Sequence, residues 1–80
     1  MTDMKELIEY CARELVEKPE AVSIKEVKGS KSCIYELSCA TEDMGRIIGR
    51  EGRIIKSLRI LIKAIAAKKQ GETVELELIE

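Results

Sequence analysis

Nine residues near the middle of the chain carry its one constellation with a defined chemistry: Ile47-Ile48-Gly49-Arg50-Glu51-Gly52-Arg53-Ile54-Ile55. Two glycines three apart interrupt an aliphatic and basic stretch of helical character. Glycine lacks a Cβ, so the backbone at Gly49 and Gly52 can turn sharply and a ligand can approach the main chain. Gly52 stands where a helix begins, and the unpaired N–H groups and positive dipole end of a helix start favour an anion. Arg50, Arg53 and Lys56 add positive charge at that point. The expected ligand is a phosphodiester backbone, held by the loop's main chain.

Charge along the chain supports this. The 80 residues carry 14 basic and 15 acidic side chains, a formal net charge of −1. From Gly45 to Lys69, however, eight basic residues face a single acidic one, Glu51, a net of +7 against −8 for the rest of the chain. The fold should therefore present one basic face and one acidic face.

Composition narrows the function classes. Eighty residues can build one modest core, and a shallow surface site is expected rather than an enclosed cavity. No apolar run approaches the roughly 20 residues of a membrane span. Met1-Thr2-Asp3-Met4-Lys5-Glu6 does not lead into an apolar segment as a secretory signal does, so the expected location is cytoplasmic. Cys11, Cys33 and Cys39 lack metal-ligand spacing, and there is no histidine to complete a zinc set or serve as a general base. Cys33 and Cys39 on one strand would stand roughly 20 Å apart. No metal, no cofactor and no enzymatic activity are expected. Nor does a glycine precede Lys-Ser or Lys-Thr at P-loop spacing.

The elements that position the loop are readable from periodicity. Met4, Leu7, Ile8, Cys11, Leu15 and Val16 line one side of an expected helix from Asp3 to Glu17, with Asp3 and Glu6 as a capping box and Pro19 barring continuation. Ala21–Lys28 reads as a strand whose alternation slips at Glu26-Val27, the position of a bulge or a frayed end. After a turn at Lys28-Gly29-Ser30-Lys31, residues Ser32–Cys39 alternate cleanly and complete a hairpin. Thr41 is the expected N-cap of a short helix to Ile48. A second helix from Arg53 to Lys69 should bury Ile55, Leu58, Ile62, Ile65 and Ala66, with Gly71 as its C-terminal cap. Thr73–Ile79 is the third strand. Gly45 reads as a packing position. The fold class is α+β, in the order α-β-β-α-α-β, with a three-stranded mixed sheet and three helices on one face. Glu36, Glu75 and Glu77 should point to solvent from the other.

The aliphatic-aliphatic-Gly-x-x-Gly-x-x-aliphatic string and the element order around it resemble the KH domain in its type II arrangement, an RNA-binding module. The resemblance covers essentially residues 1–80 as a single KH domain and is closest to small bacterial single-KH proteins. It implies that Gly49, Arg50, Glu51 and Gly52 meet the sugar-phosphate backbone of about four nucleotides of single-stranded RNA. It further implies that Ile47, Ile48 and Ile55 border the groove for the bases, and that Arg53 and Lys56 reach phosphates. Glu51 departs from the family, which usually has a polar or basic residue there. Proteins of this kind are implied to act as RNA chaperones or post-transcriptional regulators, as homodimers or with a larger Jag-like KH partner. The alternative is a dimerisation or protein-interaction module with a KH-like fold and weak or no RNA binding. An RRM is disfavoured because Tyr10 and Tyr35 are the only aromatic residues.

Overall fold

The computed structural model describes residues 3–68 and 72–80. Its elements are α1 (Met4–Leu15), β1 (Ser23–Lys28), β2 (Ser32–Ser38), α2 (Met44–Ile48), α3 (Arg53–Ala66) and β3 (Thr73–Ile79). Short 3₁₀ turns at Pro19–Ala21, Thr41–Asp43 and Arg50–Gly52 join them. The strand order is β1-β2-β3. β1 and β2 pair antiparallel from Ser23↔Ser38 to Lys28↔Cys33, and β2 and β3 pair parallel from Ser32↔Thr73 to Ser38↔Ile79. This mixed α+β sheet is the one that the type II KH order requires, because a hairpin reverses the chain and a two-helix crossover does not.

The core lies between the sheet and the helices. Ile24, Tyr35, Leu37, Val74 and Leu76 from the strands meet Ile8 and Ala12 of α1, Ile47 of α2 and Ile55, Leu58, Ile62 and Ala66 of α3. Burial of the Tyr35 ring raises its phenol pKa above the ordinary value, with Cys33 and Glu26 adding to the effect. Glu75 and Glu77 are exposed on the outer face, with Glu36 half-buried beside them.

Several element ends differ from the sequence expectation. α1 stops at Leu15 because Val16 turns extended and the next two amides, of Glu17 and Lys18, are taken by the Asp43 carboxylate at 3.2 and 3.1 Å. Asp3 does cap α1, accepting from the Lys5 amide at 3.4 Å rather than closing a box with Glu6. Pro19 opens a 3₁₀ turn, which delays β1 to Ser23. The Glu26-Val27 slip is no bulge: the register runs unbroken, with Glu26 on the inner face beside the Cys33 thiol and Val27 on the outer face. Thr41 caps nothing, since Ala40 precedes the 3₁₀ turn and α2 begins at Met44. α3 ends at Ala66, where the Lys68 amide tightens onto the Ile65 carbonyl at 3.3 Å. Ile65 is 38 % exposed, because it lies on the shoulder of the buried stripe. The expected cap at Gly71 falls outside the described residues. No helix among those described is long and apolar enough to cross a membrane.

Candidate nucleic-acid interface

The loop between α2 and α3 is built on three departures from ordinary backbone. Gly49 has φ 78° and ψ 173°, a conformation essentially closed to residues with a Cβ. Glu51 (φ 57°) and Gly52 (φ 74°) are both left-handed. Gly49 donates to the Gly45 carbonyl at 2.9 Å and so ends α2. Gly52 donates to the Gly49 carbonyl at 3.1 Å, closing the 3₁₀ turn. The amides of Arg50 and Glu51 have no backbone acceptor among the described residues. Gly52 supplies no side-chain cap to α3, so the positive end of a 14-residue helix stays open beside the loop.

Side chains around the loop divide into three groups. Arg50, Arg53 and Lys56 are exposed, and Arg50 and Lys56 make no ion pair among the described residues. Glu51 reaches back to Arg53 at 3.3 Å, both groups being largely exposed, so its charge is partly matched within the loop. Ile48 is 37 % exposed and Ile54 half-buried, and these two give the apolar border. Ile47 and Ile55 were expected there as well. Ile47 is 0 % exposed and Ile55 is 6 % exposed, and both belong to the core that supports the loop from beneath.

Two residues relevant to the site depart from the sequence reading, which takes Gly45 as a packing position and Asp43 as a first-turn carboxylate. A Cβ at Gly45 would meet nothing within 4 Å, so this glycine leaves an open approach to the α2 backbone rather than a packed contact. Its spacing of four from Gly49 was the available signal. Asp43 is only 1 % exposed, and besides the Glu17 and Lys18 amides it faces Arg46 Nε at 3.4 Å. Arg46 in turn pairs with Glu17 at 2.7 Å, and Lys18 with Glu42 at 2.7 Å. This cluster fixes the start of α2, and through it the loop, to the segment leaving α1. The hydrogen bond from Lys18 holds the Glu42 carboxyl below its ordinary pKa, and Glu42 raises that of Lys18. No signal in the sequence marks Asp43, since its main partners are backbone groups far away in the chain.

A shallow groove of about 490 Å³ runs between α1 and α3 on the other side of Ile54, lined by Tyr10, Cys11, Leu15, Leu58 and Leu61 among others. Tyr10 is 65 % exposed at its rim. Among the described residues no group of three or more His, Cys, Asp or Glu stands close enough to hold a metal ion.

The family model described as the KH domain of KhpA/KhpB matches residues 5–78. Among curated proteins the chain is 50 % identical over 76 residues to a Clostridium perfringens protein named RNA-binding protein KhpA, covering 95 % of this chain and 100 % of that one. The protein of that name in Chlamydia pneumoniae is 48 % identical over 77 residues, covering 96 % of this chain and 97 % of its own. The one in Aquifex aeolicus is 36 % identical over 80 residues, the full length of both. No solved structure matches the chain significantly. Each of these relatives is named as an RNA-binding protein. Family model and relatives together span the loop and every element that positions it, and the chain belongs to the KhpA/KhpB family of KH-domain proteins.

Proposed function

We propose that the chain binds single-stranded RNA by its backbone, with Gly49, Arg50, Glu51 and Gly52 clamping about four nucleotides. The observation that carries this is the loop itself. Amides at Arg50 and Glu51 that have no backbone acceptor among the described residues lie next to the start of α3, and Arg50, Arg53 and Lys56 flank them in exposed positions. Bases would lie along Ile48 and Ile54, with Gly45 admitting one edge to the α2 backbone. Ile47 and Ile55 support this surface without touching the ligand. The work is binding without chemistry, in the cytoplasm, as an RNA chaperone or post-transcriptional regulator.

One such site gives weak affinity, so a partner is part of the reading. The exposed Tyr10 and the apolar groove between α1 and α3 favour a protein contact there, with a second copy or the larger Jag-like KH protein. Sedimentation of Leu61→Glu against wild type checks it: the variant should sediment as a monomer where wild type self-associates or joins the partner.

The clamp is tested by fluorescence anisotropy with single-stranded RNA pools at two salt concentrations. Wild type is compared with Arg50→Asp plus Glu51→Asp, each verified folded by circular dichroism. Aspartate tolerates the left-handed conformation of position 51, so the double variant keeps the loop's shape. Three or four neutralised phosphates predict a log K versus log salt slope of about −2 to −3 for wild type. Equal binding by both proteins, or by neither, overturns the clamp.

A further inference from the structure

α2 has only five residues, and its two ends are held by different means. At its start Asp43 binds the Glu17 and Lys18 amides and faces Arg46, which fixes that end to the segment leaving α1. At its far end the chain turns at Gly49, and there the backbone rests against the side chain of Ile54. Cγ1, Cβ and Cδ1 of Ile54 would stand 2.6, 2.8 and 2.9 Å from an ideal Cβ on Gly49. Ile54 therefore sets where the end of α2 and the first glycine of the loop come to lie.

The same side chain lines the groove of about 490 Å³ between α1 and α3, together with Tyr10, Cys11, Leu15, Leu58 and Leu61. It is half-buried, with Gly49 on one side and this open apolar space on the other. Ile54 is the second residue of α3, so no turn of that helix precedes it to restrict its χ1. Its side chain thus has two apolar seats, one on Gly49 and one in the groove. The first leaves the groove open and the loop supported. The second fills the groove and takes from Gly49 the surface on which it packs.

We propose that Ile54 is the positioning residue of the loop and links it to the groove: RNA at the clamp seats Ile54 on Gly49 and keeps the groove open, and an apolar group filling the groove seats Ile54 in the same way and raises RNA affinity. The inference rests on the clamp reading and deepens it. The link is reciprocal because both ligands favour one state of one side chain. Ile54→Val keeps Cβ and a Cγ against Gly49, whereas Ile54→Ala removes Cγ1 and Cδ1 from that contact.

Cys11 reports the state of the groove, with Cys33 and Cys39 as references outside its lining. The experiment is timed iodoacetamide labelling of dilute protein with and without saturating single-stranded RNA, read by peptide mass spectrometry. RNA should speed Cys11 labelling about threefold in wild type and Ile54→Val and leave it unchanged in Ile54→Ala. By anisotropy Ile54→Ala, verified folded by circular dichroism, should bind RNA about fivefold more weakly, and Ile54→Val within about twofold of wild type. An abasic strand of the same length should lose the same factor, because the loop holds the backbone and not the bases. Cys11 labelling that RNA leaves unchanged or slows in wild type overturns the link, since a strand merely covering the groove would slow it. Should Ile54→Ala not fold, the wild-type labelling alone decides. A loss on RNA without a loss on the abasic strand, or no loss on either, overturns the positioning role and leaves the clamp in place. A wild type that does not bind the abasic strand overturns the clamp and the inference together.

Discussion

An ideal Cβ built on Gly49 would lie 2.6 Å from Cγ1 of Ile54, closer than non-bonded carbons approach, so the first glycine of the loop and the second residue of α3 fit only without a side chain between them. The same glycine sits at φ 78°. Gly49→Ala should therefore lose about 3 kcal/mol of stability, combining overpacking with a backbone conformation that alanine avoids. Gly52→Ala has room, its nearest atom being Lys56 Cε at 3.8 Å, and should lose only about 1 kcal/mol from its left-handed φ. Urea unfolding of the two variants side by side checks the order.

Gly45→Ala should move stability the opposite way. The position is helical and open, so alanine should stabilise by about 0.5–1 kcal/mol. If a nucleotide approaches the α2 backbone here, the same methyl weakens RNA binding. A variant with a higher melting temperature and lower RNA affinity is the expected outcome.

Glu51 is the one non-glycine residue with positive φ among those described, and it contributes an acidic group to the proposed anion site. Asparagine suits that backbone better and carries no charge. Glu51→Asn should tighten RNA binding by about threefold, from removal of an exposed like charge and release of Arg53. Its melting temperature should change little, because the exposed Glu51–Arg53 pair contributes little. Anisotropy titration and a thermal melt give both numbers.

Asp43→Ala leaves the Glu17 and Lys18 amides without their acceptor and Arg46 without its buried neighbour. Hydrogen bonds to a charged group are each worth about 1.5–3 kcal/mol, so a loss of about 3 kcal/mol is expected. Asp43→Asn, which keeps one acceptor oxygen, should lose less. The loop lies downstream of this residue, so RNA affinity measured on the folded fraction should fall as well.

Burial, followed by the charges of Asp43 and Glu42, raises the Cys39 thiol above its ordinary pKa. A raised pKa means less thiolate at any pH below it. Alkylation of Cys39 at pH 8 should thus be several-fold slower in the native protein than in urea, with the gap narrowing as pH rises. Peptide mass spectrometry after timed iodoacetamide treatment reads the rate at this cysteine.

The parts of this fold that follow short-range rules were legible in the sequence. The Tyr35 and Leu37 alternation located β2, the Ile55, Leu58 and Ile62 spacing located α3, and the two glycines located the loop between helices. What was missed depends on groups that meet only after folding. Asp43 reads as a first-turn carboxylate, yet it leaves its own helix uncapped to accept from the Glu17 and Lys18 amides, in the segment between α1 and β1. Ile47 and Ile48 are chemically identical neighbours in the sequence. One is buried and the other exposed because the helix places them about 100° apart. Ile65 fits the aliphatic spacing of α3 but sits on its shoulder, where the sheet no longer reaches.

The parallel pairing of β2 with β3 encloses α2, the loop and α3 within a single crossover. The sheet that both helices cover is thus incomplete until its most distant strand arrives. Non-local pairing of this kind is the slow part of folding, and local helix formation alone does not supply it. A nascent chain in which β3 is still inside the ribosome would hold the glycines without the surface that fixes their angles. Competence to bind would then appear in one cooperative step after synthesis of β3, which separates the growing chain from the RNA around it.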